Sequence, residues 1–381
     1  MTAHLDARHD VLCSPETFAR VGGPLGSAVY FAAADRGRTL SDLGPTVPAY
    51  EAADWIRAQR AARESMAGLL GCEADEVVAT NVDASSLDFV IARFYHPVLP
   101  RRAMLAEWTA GALVRGAMRR RIVAAGFDPD RFLALIRPRW SEDFLRAEDV
   151  TDFVQRYGHE YAVVLLTIGV DVVADPNELT SIVDACHRAG CIVGVDATQL
   201  VGISPLSLHD WGVDFAVWRT DRHLCSGESD SIGLFVHSRH RSPSRDAEWD
   251  WIHPTRPNWS LQPFYSFVRC VRDVGIDIVA LRTAEIRQYL QSQLVSIPGV
   301  ELVAQRSGSF SAGVAVRVRP NASEVSERLR FVHNIFVATI GSNCLLFTPS
   351  ALYNTASDCD RAVVALQTEL TSTPHTSATS P

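Results

Sequence analysis

The sequence predicts an α/β protein with a mainly parallel sheet and a smaller α+β portion toward its C-terminus. Two observations carry this. From residue 76 onward, short apolar runs alternate with segments of helical periodicity, the pattern of βαβ units. After residue 274 the pattern changes to one long helix followed by β-rich segments.

Taken in order, residues 1–28 form a polar arm, and residues 48–70 (PAYEAADWIRAQRAARESMAGLL) have helical spacing ended by Gly71. EVVAT, RAMLAEW, FLALI and YAVVLLTIG read as strands, with helices after Ser85, over 111–125 and over 147–157 between them. A helix at 176–189 follows, then strand CIVGVDAT, the segment GISPLSLHDWGVD, strand FAVWR and strand LFVHS. Strands ending at Asp196 and Trp218 deliver their last residues to one sheet edge, and in open α/β sheets that carboxyl edge holds the ligand. Residues 239–265, rich in Arg, Pro and Trp, read as a long loop of the kind that is usually functional. A helix at about 274–296 stops at Pro298-Gly299; GVELVAQ, AGVAVRVRP, a helix at about 322–332, FVATIG and CLLFTP complete the smaller portion. The domain boundaries follow: an arm at 1–28, a large domain at 29–265, a small domain at 266–365 and a disordered Ser/Thr/Pro tail at 366–381.

Composition narrows the chemistry. The 381 residues are 47% hydrophobic and 21% charged, with 36 arginines, no lysine and a net charge of −8. This mildly acidic chain carries no general nucleic-acid footprint. Without lysine, no side-chain amine can form an imine with a carbonyl compound. No apolar run approaches the roughly 18 residues of a membrane span, and no secretory signal is visible, so a cytoplasmic protein is expected. Eight cysteines without a CxxC pair suggest neither zinc nor a disulfide framework.

The stretch VDATQLVGISPLSLHDWGVDFAVWRTDRHLCSG at 195–227 resembles the kynureninase family, fold-type I pyridoxal-phosphate enzymes of the class V aminotransferase group. Weaker similarity runs through AVYFAAADRG at 28–37, residues 66–86 and PSALYNT at 349–355. The resemblance implies a fold-type I architecture with a mainly parallel, seven-stranded-type sheet, and a homodimer with sites at the subunit interface. It further implies that Asp196 faces a pyridine ring nitrogen and keeps it protonated. At the positions of other family contacts the chain departs. Arg222 stands where the cofactor lysine falls, and a guanidinium cannot replace it. Asp221 stands where a tyrosine reaches the phosphate, and Asp83 joins Ser85 and Ser86 in the phosphate turn NVDASS. Ala110, or Trp108 in a shifted register, takes the place of the ring-covering aromatic; Leu346 replaces the carboxylate-binding arginine, and Gln199 a histidine.

The polar residues at this edge also include Asp171, Arg219, His223, Cys225, Glu228 and Asp230. His223 is the candidate general acid/base, since an imidazole titrates near neutral pH, with Asp196, Asp221 and Asp83 as carboxylate partners. Arg219 and Arg222 are candidate clamps for an anionic substrate group, joined by Gln199, Trp108 and Ser85, and by Trp251 and His253 in the long loop beside Arg256 and Trp259. For each, a structural ion pair or packing role stands as the alternative; Cys225 reads as a buried thiol. No metal ligand set is expected. Three functions remain open. The expectation is a cofactor-independent enzyme derived from the kynureninase framework, a lyase, hydrolase or cyclase acting on an amino-acid-derived metabolite of specialised metabolism. The alternatives are an enzyme holding pyridoxamine or pyridoxal phosphate without a covalent link, and a noncatalytic binding partner.

Overall fold

The computed structural model describes residues 18–19, 29–31, 39–40, 52–82, 84–140, 142, 145–169, 175–224, 232–240, 268, 271, 274–303, 313–319, 321–340 and 343–372. Within them a seven-stranded sheet has the order β4 (Val77–Val82), β10 (Ile232–Val236), β9 (Phe215–Arg219), β8 (Ile192–Asp196), β7 (Tyr161–Thr167), β5 (Ala103–Glu107), β6 (Leu133–Ile136). All pairings are parallel except those of β10, which is antiparallel to both β4 and β9. The mainly parallel sheet of an α/β fold is therefore present.

Helices cover both faces because the strands are apolar on both. On β9, Ala216 and Trp218 face one core and Phe215 and Val217 the other, the period-two alternation of a strand. The first core takes α1 (Ala52–Leu70), α4 (Ala147–Tyr157) and α5 (Pro176–Ala189) through Leu70, Val154 and Ile182; the second takes α2 (Ala84–Phe94) and α3 (Ala112–Ala124) through Ile91 and Met118. Local chemistry fixes α5. The Asp175 side chain accepts from the amides of Asn177 and Glu178, Pro176 opens the helix, and Gly190 closes it at φ 78°. On β10 the space above Gly233 belongs to the Trp218 ring, where a Cβ would lie 2.0 Å from the indole.

A second sheet of five strands has the order β11 (Glu301–Leu302), β12 (Val314–Arg317), β14 (Cys344–Phe347), β13 (Ile335–Ile340), β2 (Val29–Phe31). One face packs against α6 (Ile276–Leu294), α7 (Ala322–His333) and α8 (Ala356–Ser372) through Leu290, Leu329 and Leu366. A two-stranded ribbon joins β1 (Phe18–Ala19) to β3 (Thr39–Leu40).

Two boundaries move. Residues 29–31, expected to open the large domain, pair in parallel with β13 in the small sheet; Val29 and Phe31 are buried there, and Thr348 donates from both its amide and its hydroxyl to the Phe31 carbonyl. Residues 366–372, expected in the tail, complete α8. Leu366 is buried in the core, and the Glu369 carboxylate pairs with Arg328 and with His333 at 2.7 Å. Residues 373–381 and 241–265 lie outside the described residues. No helix among the described residues is long and apolar enough to cross a membrane.

Candidate active site

The carboxyl ends of β5, β7, β8 and β9 deliver Glu107, Thr167, Asp196 and Arg219 to one edge of the large sheet. A cavity of about 810 Å³ opens there, within the usual size of a small-molecule site. Trp108, Thr167, Asp196, Thr198, Gln199, Trp218, Arg219 and Arg222 line it from the large domain. The opposite wall is the free face of the small sheet. Alternation along β12 and β14 turns Ala315, Arg317, Cys344 and Leu346 to the cavity, and Val314, Val316, Leu345 and Phe347 to the helices behind.

Asp196 ends β8, open to the cavity but deep in the protein. Its Oδ1 accepts from the Thr198 amide at 3.0 Å, and the Thr198 hydroxyl accepts from the Arg219 amide at 3.1 Å. Burial pushes the Asp196 carboxyl above the usual carboxylate range; the Thr198 hydrogen bonds and the guanidiniums of Arg219 and Arg222 oppose that rise. Behind it, Glu107 is fully buried. Its Oε1 accepts from the Thr167 amide at 2.9 Å, and its Oε2 has no partner among the described residues. Burial pushes this carboxyl up to about 7; the Thr167 hydrogen bond opposes the rise, and the nearby Asp196 adds to it.

The expected constellation assembles only in part. Asp196, Gln199, Arg219, Arg222 and Trp108 all line the cavity, and of the two expected ring-covering positions it is Trp108, not the buried Ala110, that does so; Leu346 also lines it. Asp221 is not a free carboxylate. Arg219 donates to it in a bidentate pair, Nε to Oδ1 at 2.8 Å and Nη2 to Oδ2 at 2.6 Å, so the carboxylate expected to partner a catalytic histidine is instead neutralised within the protein. His223 corrects the acid/base assignment. It is buried, does not line the cavity, and burial together with Arg222 lowers its pKa to about 3, which leaves a neutral ring at physiological pH. Asp83, Asp171, Cys225, Glu228, Asp230, Trp251, His253, Arg256 and Trp259 lie outside the described residues, as does the side chain of Ser85 in the first turn of α2. Sequence reasoning passed over Glu107, Arg115, Thr167 and Arg317. Two of them had a signal: Glu107 is an acid closing the apolar strand RAMLAEW, and Arg317 an arginine on the outward phase of AGVAVRVRP.

These residues bear on whether a pyridoxal-type cofactor fits. A half-buried acid at a strand end suits a pyridine nitrogen. The buried polar atoms Thr167 Oγ1 and Gln199 Oε1 have no partner among the described residues, which a polar ligand in the cavity would supply. The fit does not extend to a covalent anchor, because the chain contains no lysine and Arg222 projects a guanidinium at the expected position.

Comparison with known proteins is informative at this point. The Aminotransferase class-V family profile matches residues 145–222. The chain is 30% identical over 345 residues to the kynureninase of Salinispora tropica, covering 82% of this chain and 80% of the relative. It is 32% identical over 215 residues to that of Myxococcus xanthus, covering 56% and 50%. Among solved structures it resembles a NifS-like protein, with a TM-score of 0.69 at 15% identity over 91% of this chain and 100% of the other. It also resembles a lysine-to-alanine mutant of C-DES with glycine covalently linked to the PLP cofactor, with a TM-score of 0.70 at 12% identity over 90% and 97%. These findings overturn the expectation of a cofactor-independent enzyme without cofactor, since the relatives point to pyridoxal-phosphate-dependent chemistry. The alternatives of an enzyme holding pyridoxamine or pyridoxal phosphate without a covalent link, and of a noncatalytic binding partner, likewise find no support among them. With 30% identity across four-fifths of both chains, this protein belongs to the kynureninase family of class V aminotransferase-fold enzymes.

Proposed function

We propose that the protein carries out pyridoxal-phosphate-dependent chemistry on an amino acid of the kynurenine class, in the cavity at the carboxyl edge of the large sheet. The observation that carries this reading is Asp196, a half-buried acid at the end of a central parallel strand that lines that cavity. When bound, the cofactor supplies an electron-withdrawing ring that stabilises negative charge at the substrate carbon. Asp196 holds the proton at the ring nitrogen. The Thr198 amide fixes Asp196 Oδ1 at 3.0 Å, and the Arg219 backbone in turn anchors the Thr198 hydroxyl, so the acid needs no reorganisation when the ring arrives. Trp108 offers an aromatic surface for a planar group, and Ala315, Ala338 and Leu346 form an apolar wall suited to an aryl side chain and to keeping water out. A homodimer, in which the partner borders the cavity, is part of the same proposal.

The test is retention of pyridoxal phosphate after gel filtration. About one equivalent per chain is expected, with roughly tenfold or greater weakening in Asp196→Asn, the scale of one charge-assisted hydrogen bond. Wild-type protein that elutes without the cofactor, or an Asn variant that retains it undiminished, would overturn the reading. Light scattering on the same column run checks the dimer.

A further inference from the structure

A second cluster lies at the opposite, amino edge of the large sheet, where β4 begins and β10 ends. Glu76 precedes β4, His237 follows β10, and His209 sits in the turn containing LHDW. One ligand atom from each of the three lies within 4.8 Å of the others. Their arrangement is that of a held carboxylate facing two imidazoles. Glu76 has no exposed surface, and backbone amides fix it: Ser238 N donates to Oε1 at 2.7 Å and Glu73 N to Oε2 at 3.1 Å. His209 Nδ1 lies 2.9 Å from both carboxylate oxygens, and His237 Nδ1 lies 3.5 Å from Oε1. The two rings stack with centroids 4.6 Å apart, so both present nitrogen to the same oxygen. Among the described residues, the other contacts of His237 Nδ1 are long, 3.3 Å from both the Arg239 amide and the Ser238 hydroxyl.

We propose that Glu76, His209 and His237 form a site for a divalent cation of zinc type. Zinc takes imidazole nitrogen and carboxylate oxygen at about 2.0–2.2 Å, which separates tetrahedral ligands by about 3.4 Å. The 3.5 Å gap between His237 Nδ1 and Glu76 Oε1 already matches. His209 must retreat from Glu76 by about half an ångström, and its side chain, 39% exposed, has room to do so and to leave an open side for water as fourth ligand. The backbone amides on Glu76 act as outer supports that aim the carboxylate. The charge setting agrees: Glu73 and Asp75 flank the site, whereas the nearby cation Arg239 is turned to Asp214, with Nε 3.0 Å from Oδ1. Cysteine spacing gave no hint of this site because it uses no cysteine, and its ligands come from three segments up to 161 positions apart in the chain (237 − 76). A cation there would tie the start of β4, the LHDW turn and the end of β10 together.

The experiment is calorimetric titration of tag-free, EDTA-treated full chain with zinc chloride, followed by cobalt(II) as a spectroscopic probe. One saturable equivalent with tetrahedral cobalt bands is expected, together with a higher melting temperature in zinc. His209→Asn and His237→Asn should each weaken that equivalent at least tenfold, whereas His187→Asn, in the separate Asp214 cluster, should leave it unchanged. X-ray absorption of the zinc-loaded wild type, which needs no variant to fold, should report two imidazoles and one carboxylate. Absence of saturable uptake by the wild type, binding that survives both ligand substitutions, or a shell without two imidazoles would each overturn the site.

Discussion

Glu107 is a carboxyl far from its ordinary behaviour, because it has no exposed surface and an unpaired oxygen among the described residues. A glutamate titrating at about 7 in the folded chain, against an ordinary value of 4.5, binds its proton more tightly folded than unfolded. Its contribution to stability is therefore full below pH 4.5 and is lost as pH rises through about 7. A difference of this size corresponds to about 3 kcal/mol. The expected outcome is a melting temperature that falls between pH 5 and pH 7.5 in the wild type and changes much less in Glu107→Gln, whose amide oxygen can still accept from Thr167. Identical pH profiles for the two proteins would assign the slope to other groups. Part of the site was legible at this scale. Asp196 and Arg219 close apolar strands, so sequence alone brings them to the edge. That Arg219 clamps Asp221, and that His223 turns into the core, depends on side-chain direction in the turn after β9, which residue order does not encode.

At the scale of elements, strands and helices of the large domain follow from periodicity because each buries a continuous apolar face. Residues 147–157 and 176–189 form helices at the expected bounds for that reason. β2 was not legible: three residues carry no period, and the partner that makes them a strand, β13, lies 306 positions later in the register Val29–Ile335 (335 − 29). The helical run through residue 372 was hidden by the Ser/Thr/Pro segment that follows it. The contact between β10 and β9 carries a prediction. Gly233→Ala places a Cβ about 2.0 Å from the Trp218 indole, which is fully buried and lines the cavity. A ring trapped between strands cannot yield without moving its neighbours, so a loss of roughly 1–3 kcal/mol is expected, read as a lower denaturant midpoint. Cofactor retention should fall with it. A variant as stable as the wild type would mean that the indole has another place to go.

For the whole molecule, the pocket belongs to neither sheet alone: the large domain supplies Asp196, Thr198, Gln199 and the arginines of its floor, and the small domain the Ala315, Ala338 and Leu346 surface opposite, with Arg317 beside it. The chain as a whole also has a property that makes one position testable without ambiguity. It contains no lysine, so its amino terminus is its sole amine. Arg222, three residues beyond the end of β9 and lining the cavity, stands where the resemblance puts the cofactor-bearing lysine. Arg222→Lys therefore introduces a single side-chain amine into a chain of 381 residues. If the floor is oriented around Asp196 as proposed, incubation with pyridoxal phosphate followed by borohydride should fix one cofactor on the peptide containing position 222, and peptide mapping should find it there. The shorter, more flexible amine reaches less far than the guanidinium it replaces but keeps the positive charge near Asp221, 3.9 Å from Arg222 Nε, so folding should be preserved and a melting curve checks that it is. Labelling confined to the amino terminus in a folded variant would mean that position 222 does not face the cofactor's carbonyl carbon, and that the family's geometry is not retained at the end of β9.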